Sequence, residues 1–176
     1  MTRSVAPMTN SWSAGAGELD EKKVLLGFLE TQQSALRRKL DGMSEHDART
    51  SPVGSGTNLA GLLKHATYVH ARWFELCFAD AVPDGRLPWP TNDHVAGPGE
   101  TLDVLRSRFD ATLEIATGIV AEARVDELNR GWHGGGFEPR TYTLRWIILH
   151  MIEELARHCG HADIIREQID GVTGYP

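Results

Sequence analysis

The chain has 176 residues, of which 41% are hydrophobic, and a formal net charge of -6. That length suits one domain with a real hydrophobic core, and the composition is that of a globular chain rather than a disordered one. The acidic balance and the lack of a basic stripe argue against nucleic-acid binding, because the densest basic cluster is only "RRK" at Arg37 to Lys39. No apolar run approaches the roughly 18 to 20 residues of a membrane span, and no secretory leader pattern opens the chain. Cys77 and Cys159 are too few and too far apart for a disulfide framework or a CxxC motif, so both read as reduced thiols of a cytoplasmic protein.

Residues 1–17, rich in Ser, Gly and Ala, read as a flexible tail, and 18–176 as a single domain. The first helical pattern runs from about Glu18 to Leu40. Leu25, Phe28, Leu29, Gln32, Leu36 and Leu40 share its apolar face, and Asp41-Gly42 ends it. Gln32 interrupts that face and reads as an edge residue. The second pattern starts after Thr57 or Asn58 as cap, carries Leu62, His65, Ala66, Val69, Trp73 and Leu76 on one face, and ends around Asp80. The Pro- and Gly-rich "AVPDGRLPWPTNDHVAGPGE" that follows is a long connection.

The third pattern is capped by Thr101, carries Leu102, Leu105, Phe109, Leu113, Ala116 and Val120, and fades near Ala123. A loop with three consecutive glycines, Gly134 to Gly136, separates it from the last helix, from about Thr143 to Asp170 with Gly171 as its C-terminal stop. No strand alternation or internal repeat is present. Four long helices predict an all-α, four-helix bundle, and the length of the second connection allows a crossover instead of a plain up-down order.

The last helix is chemically unusual. Ile147, Met151, Glu154, His158, His161 and Ile165 recur at spacings of four and three, which places a carboxylate and two imidazoles in the apolar stripe. Burying such groups without a partner is costly, and a divalent metal removes that cost by coordination. Glu154 and His158, four apart, can reach one ion, and His65 on the second helix can complete a three-ligand site. One carboxylate and two imidazoles suit zinc, and also nickel or ferrous iron.

The competing reading of Glu154 and His158 is an i,i+4 surface ion pair, and that of His65 a hydrogen-bonded core histidine. His150 is a rival ligand or a partner that orients one, and His161 could replace Glu154 or take the same orienting part. His70, five residues after His65, points off its face. His46, His94 and His133 read as solvated loop residues. The glycine run lacks a P-loop lysine, and neither a nucleophile elbow nor an H-E-x-x-H motif occurs.

Two segments, "NLAGLLKHATYVHARWF" and "TLRWIILHMIEELARHCGHADIIREQIDG", resemble the DinB-like superfamily of bacterial four-helix-bundle metalloproteins. That superfamily includes YfiT-like thiol transferases and mycothiol-dependent enzymes. The resemblance spans about residues 20 to 171 and is nearest an actinobacterial branch related to the mycothiol-dependent enzymes. It implies that His65 is the first metal ligand and that Glu154 and His158 are the last-helix pair. Many members have two histidines there, and the maleylpyruvate isomerase branch has Glu first. His70 and His161 match further family histidines.

The implied activity is a metal-dependent transferase that activates a low-molecular-weight thiol, mycothiol in an actinobacterium, against an electrophile. A homodimer is the implied assembly. The alternatives are a metal-dependent isomerase or hydrolase of a small acid, served by Arg145 or Arg157, and a non-catalytic metal-binding bundle. The residues name no catalytic acid or base.

Overall fold

In the computed structural model, residues 17, 20–83, 85, 87, 90–132 and 140–173 are described. Most of the expected tail, His133 and the glycine run at Gly134 to Gly136 lie outside them. Among the described residues the elements are helices, with one isolated bridge between Leu128 and Thr143. None of the helices is long and apolar enough to cross a membrane.

Helix α1 spans Glu21–Arg38, started by Asp20, whose carboxylate accepts from the backbone N–H groups of Lys22 and Lys23. A short helix α2, Glu45–Arg49, follows Ser44 as cap and contains His46, which sequence reading placed in a loop. Helix α3 spans Leu59–His70, with Asn58 as the cap accepting from Gly61 N–H. It runs on without a break into a π-helical segment, Ala71–Phe78. Helix α4 spans Leu102–Glu122 behind Thr101, and α5 spans Leu144–Asp170 between Thr143 and Gly171, whose φ of 74° is the left-handed stop glycine allows.

The apolar stripes of the four long helices meet in one core that includes Leu36, Leu62, Leu63, Phe109, Ile147 and Met151. Each such side chain contributes about 1.5–3 kcal/mol by leaving water. Phe28, expected on the buried face of α1, is instead 49% exposed, and Ala35 is buried in its stead. The inward face is therefore turned slightly from the expected one.

Cross-helix contacts set the topology. Arg145 bonds Glu21, Cys159 Sγ donates to Gln32 O, and Lys39 pairs with Asp163, so α1 and α5 run parallel. Lys22 Nζ reaches the carbonyls of Ala121 and Ala123 while Arg37 pairs with Asp110, so α1 and α4 run antiparallel. The His65–His158 and Trp73–His150 ring contacts make α3 and α5 antiparallel. The order is up, down, down, up. Consecutive parallel helices α3 and α4 require the connection 79–101 to return along the bundle, which is why it is long.

His70 shows what the core does to a polar group. It is fully buried; its Nδ1 donates to Ala66 O at 2.8 Å, and its Nε2 therefore accepts from Gln33 Nε2 at 3.0 Å. Burial lowers its pKa to about 4 from the ordinary 6.5, the bond to Ala66 opposing. Between those two values the unfolded chain binds a proton that the folded chain does not, so stability rises with pH. His70 is expected to cost up to about 3 kcal/mol as pH falls from 6.5 to 4. Urea unfolding of metal-free protein across that range should show a shallower decline in His70→Gln than in wild type. An unchanged slope would contradict the assignment.

Candidate metal centre

The antiparallel packing of α3 on α5 places His65 opposite the polar part of the α5 stripe. His65 Nε2 lies 3.2 Å from Glu154 Oε1, and His158 Nε2 lies 3.0 Å from the same oxygen. The two imidazoles meet edge to face, with centroids 5.0 Å apart. His158 is buried and Glu154 half-buried. The spacing of four on α5 explains the pairing of Glu154 with His158, and the helix packing brings in His65.

The electrostatics follow from this convergence. The hydrogen bond from His158, then that from His65, holds the Glu154 carboxyl far below the usual carboxylate range, against the opposing effect of burial. For His65 burial is the largest single influence and pulls the imidazole down. The Glu154 bond and the charge and bond of Asp93 outweigh it, leaving the pKa raised above 6.5.

The donor set fits a divalent cation. One ligand atom from each of His65, Glu154 and His158 lies within 4.8 Å of the others. Metal–ligand bonds of about 2.0–2.1 Å in a tetrahedral site put donors about 3.3 Å apart. Glu154 Oε1 stands 3.0 and 3.2 Å from the two imidazole nitrogens, close to that edge length. His158 Nδ1 is buried and has no hydrogen-bond partner among the described residues. It is the ring nitrogen turned away from Glu154, so a cation held by Nε2 would leave it unpaired, and the fit rests on the three converging donors alone.

Not every expected residue joins the group. His150 packs between Trp146 and Trp73, at centroid distances of 5.0 and 4.9 Å, in an aromatic cluster with Tyr142. His161 was expected in the buried stripe but is exposed. Helix α3 begins only at Leu59, so this level of α5 faces Val53, Ser55 and Thr57 of a loop instead of a helix. The His161 ring still lies 5.7 Å from that of His158. His70 points away from the centre, toward Gln33 and Phe109.

Two residues that sequence reading left out stand beside the centre. Asp93 Oδ2 is 3.1 Å from His65 Nδ1, and the His94 ring stacks on His65 at 3.9 Å. His94 was read as a solvated loop residue unconnected to the site. Its side chain is indeed 53% exposed, but the crossover lays it over His65. The seat for this is Gly61, whose missing side chain leaves room for the His94 backbone. Asp93, His94 and His65 also form a second group of donors within 4.8 Å.

Fold and site together define a helical-bundle protein with a candidate His/Glu/His metal centre. The sequence model of the mycothiol-S-transferase family matches residues 24–171, and the chain belongs to that DinB-like family. No curated protein matches the sequence. The crystal structure of a conserved protein from Enterococcus faecalis is similar in fold, with a TM-score of 0.68 and 13% identity. That match covers 88% of this chain and 99% of the other.

Proposed function

We propose that the chain is a cytoplasmic, divalent-metal-dependent transferase that joins a low-molecular-weight thiol of the mycothiol class to an electrophile. The observation that carries this reading is the convergence of His65 Nε2 and His158 Nε2 on Glu154 Oε1 in a chain of this family. Three protein donors are the number found in catalytic zinc sites, whereas structural sites use four. Zinc is the cation this donor set suits best, with nickel or ferrous iron as alternatives.

A divalent cation held there supplies the charge that keeps a thiol sulfur as thiolate at neutral pH. The protein's own thiols are poor substitutes. Cys159 is buried, donates to Gln32 O, and has its pKa pushed up to about 11, mainly by burial. Burial raises Cys77 as well. Neither is poised to be a thiolate, so the nucleophile is external. His65, Glu154 and His158 hold the site, and the transfer forms one S–C bond as the electrophile's leaving group departs with the bond pair.

The isomerase or hydrolase alternative needs a cation aimed at a small acid. Arg145 is engaged by Glu21 at 2.6 Å, and Arg157 by Glu153 at 2.6 Å with Glu154 at 3.6 Å. Both arginines are committed to carboxylates, which favours the transferase.

The test is elemental analysis of untagged protein beside His158→Ala, then loss of free thiol when mycothiol and bromobimane are mixed with each. About one divalent ion per chain and accelerated conjugation are expected in wild type, both lost in the variant. Metal without conjugation would mark a non-catalytic metal-binding bundle. No metal, even after reconstitution, would sink the enzyme reading.

A further inference from the structure

His65 stands between two carboxylates. Its Nδ1 faces Asp93 Oδ2 at 3.1 Å and its Nε2 faces Glu154 Oε1 at 3.2 Å. A neutral imidazole carries one proton. Only with that proton on Nδ1 can Nε2, the nitrogen that meets Glu154 and lies on the His158 side, donate a lone pair. Asp93 is the acceptor that would hold the proton there. Without Asp93, Glu154 would draw the proton onto Nε2 and block the donor.

The crossover that carries Asp93 is fixed by contacts outside the centre. Lys64 Nζ donates to Val95 O at 2.8 Å and bonds Glu100 at 2.8 Å. Arg49 donates to the carbonyls of Ala96, Gly97 and Glu100. Gly61 admits the His94 backbone against α3. Asp93 is thus presented by a clamped segment, as a residue that orients another must be.

We propose that Asp93 is the positioning residue of the metal centre, fixing the tautomer and ring orientation of His65 so that Nε2 is offered to the cation. This rests on the metal reading above and adds the crossover to the centre as its orienting arm. The rival is that Asp93, His94 and His65 Nδ1 form a second cation site of their own.

The test compares wild type with Asp93→Ala and Asp93→Asn. Zinc affinity, measured by competition with a chromophoric chelator, is expected to fall 10- to 100-fold in Asp93→Ala, about the range for loss of an outer partner. It should fall less in Asp93→Asn, whose amide still offers a carbonyl oxygen to Nδ1. Nitrogen-15 NMR of the His65 ring in metal-free protein, at a pH where the ring is neutral, should show the proton moving toward Nε2 in Asp93→Ala.

The melting temperature of that metal-free variant should stay within about 4 °C of wild type, which a residue holding up the fold would not allow. Unchanged zinc affinity, or an unmoved ring proton, would overturn the proposal. So would two zinc ions per chain, one of them lost with Asp93. A wild type that binds no zinc would sink the transferase reading, and the ring proton would then decide Asp93 by itself.

Discussion

Glu154→Gln is expected to lower divalent-metal affinity by more than about 100-fold, the upper range for losing an outer partner, because here a proposed ligand itself loses its charge. The substitution preserves shape and leaves one carbonyl oxygen near His65 and His158. It removes the negative charge that both imidazoles face at 3.2 and 3.0 Å.

The metal-free protein is affected as well. The Glu154 carboxyl titrates below its ordinary 4.5, so its contribution to stability is present above that pH and lost as acid protonates it. Each hydrogen bond that an imidazole donates to the charged carboxylate becomes a bond to a neutral oxygen, a loss of about 1 kcal/mol wherever that ring carries a proton on Nε2. Zinc titration and urea unfolding in chelator measure the two effects separately. At the proposed centre, binding needs His65 Nε2 without its proton. Affinity should therefore weaken as pH falls through the raised titration of His65. Glu154→Gln retaining full affinity would mean the carboxylate serves only as a hydrogen-bond acceptor.

The four long helices were legible because each buries one stripe, and spacing by three and four records it directly. Asn58, Thr101, Thr143 and Gly171 stand where their side-chain or backbone chemistry ends a helix. Helix α2 was missed, since Glu45–Arg49 is too short to show a period. The π-helical stretch Ala71–Phe78 was read as ordinary helix. Its apolar run suits either form, and only the wider backbone bonding, such as Ala79 N–H to Phe74 O, tells them apart.

The site divides along the same line. Glu154 and His158 sit on one helix, and His65 shares the face of another, so all three were visible as polar residues in apolar stripes. His161 obeys the same spacing yet is exposed, because the level at which α3 begins is a packing fact that no single-helix pattern carries. Asp93 and His94 lie 28 and 29 residues beyond His65 in an aperiodic connection. Only the crossover topology brings them back. The one local signal was Gly61, a glycine inside an otherwise well-formed helix, which marks a place where another chain segment comes close.

Gly61→Ala tests that topology. In most exposed helices the change would stabilise by up to about 1 kcal/mol through better helix propensity. Here the added Cβ would collide with the His94 carbonyl oxygen and stand 3.1 Å from its carbon. Both are backbone atoms of the crossover, so no side-chain rotation relieves the clash. Forcing a methyl into such a contact costs about 1–3 kcal/mol, enough to reverse the sign.

The displaced segment carries Asp93 off His65 and strains the Lys64 bond to Val95 O. Gly61→Ala should therefore melt lower than wild type and bind zinc more weakly, although the nearest neighbours of the added methyl are His94 and Asn58 and not the proposed ligands. A variant that is more stable and binds zinc normally would show that the crossover is not seated on α3 in solution. The Asp93 assignment would fall with it.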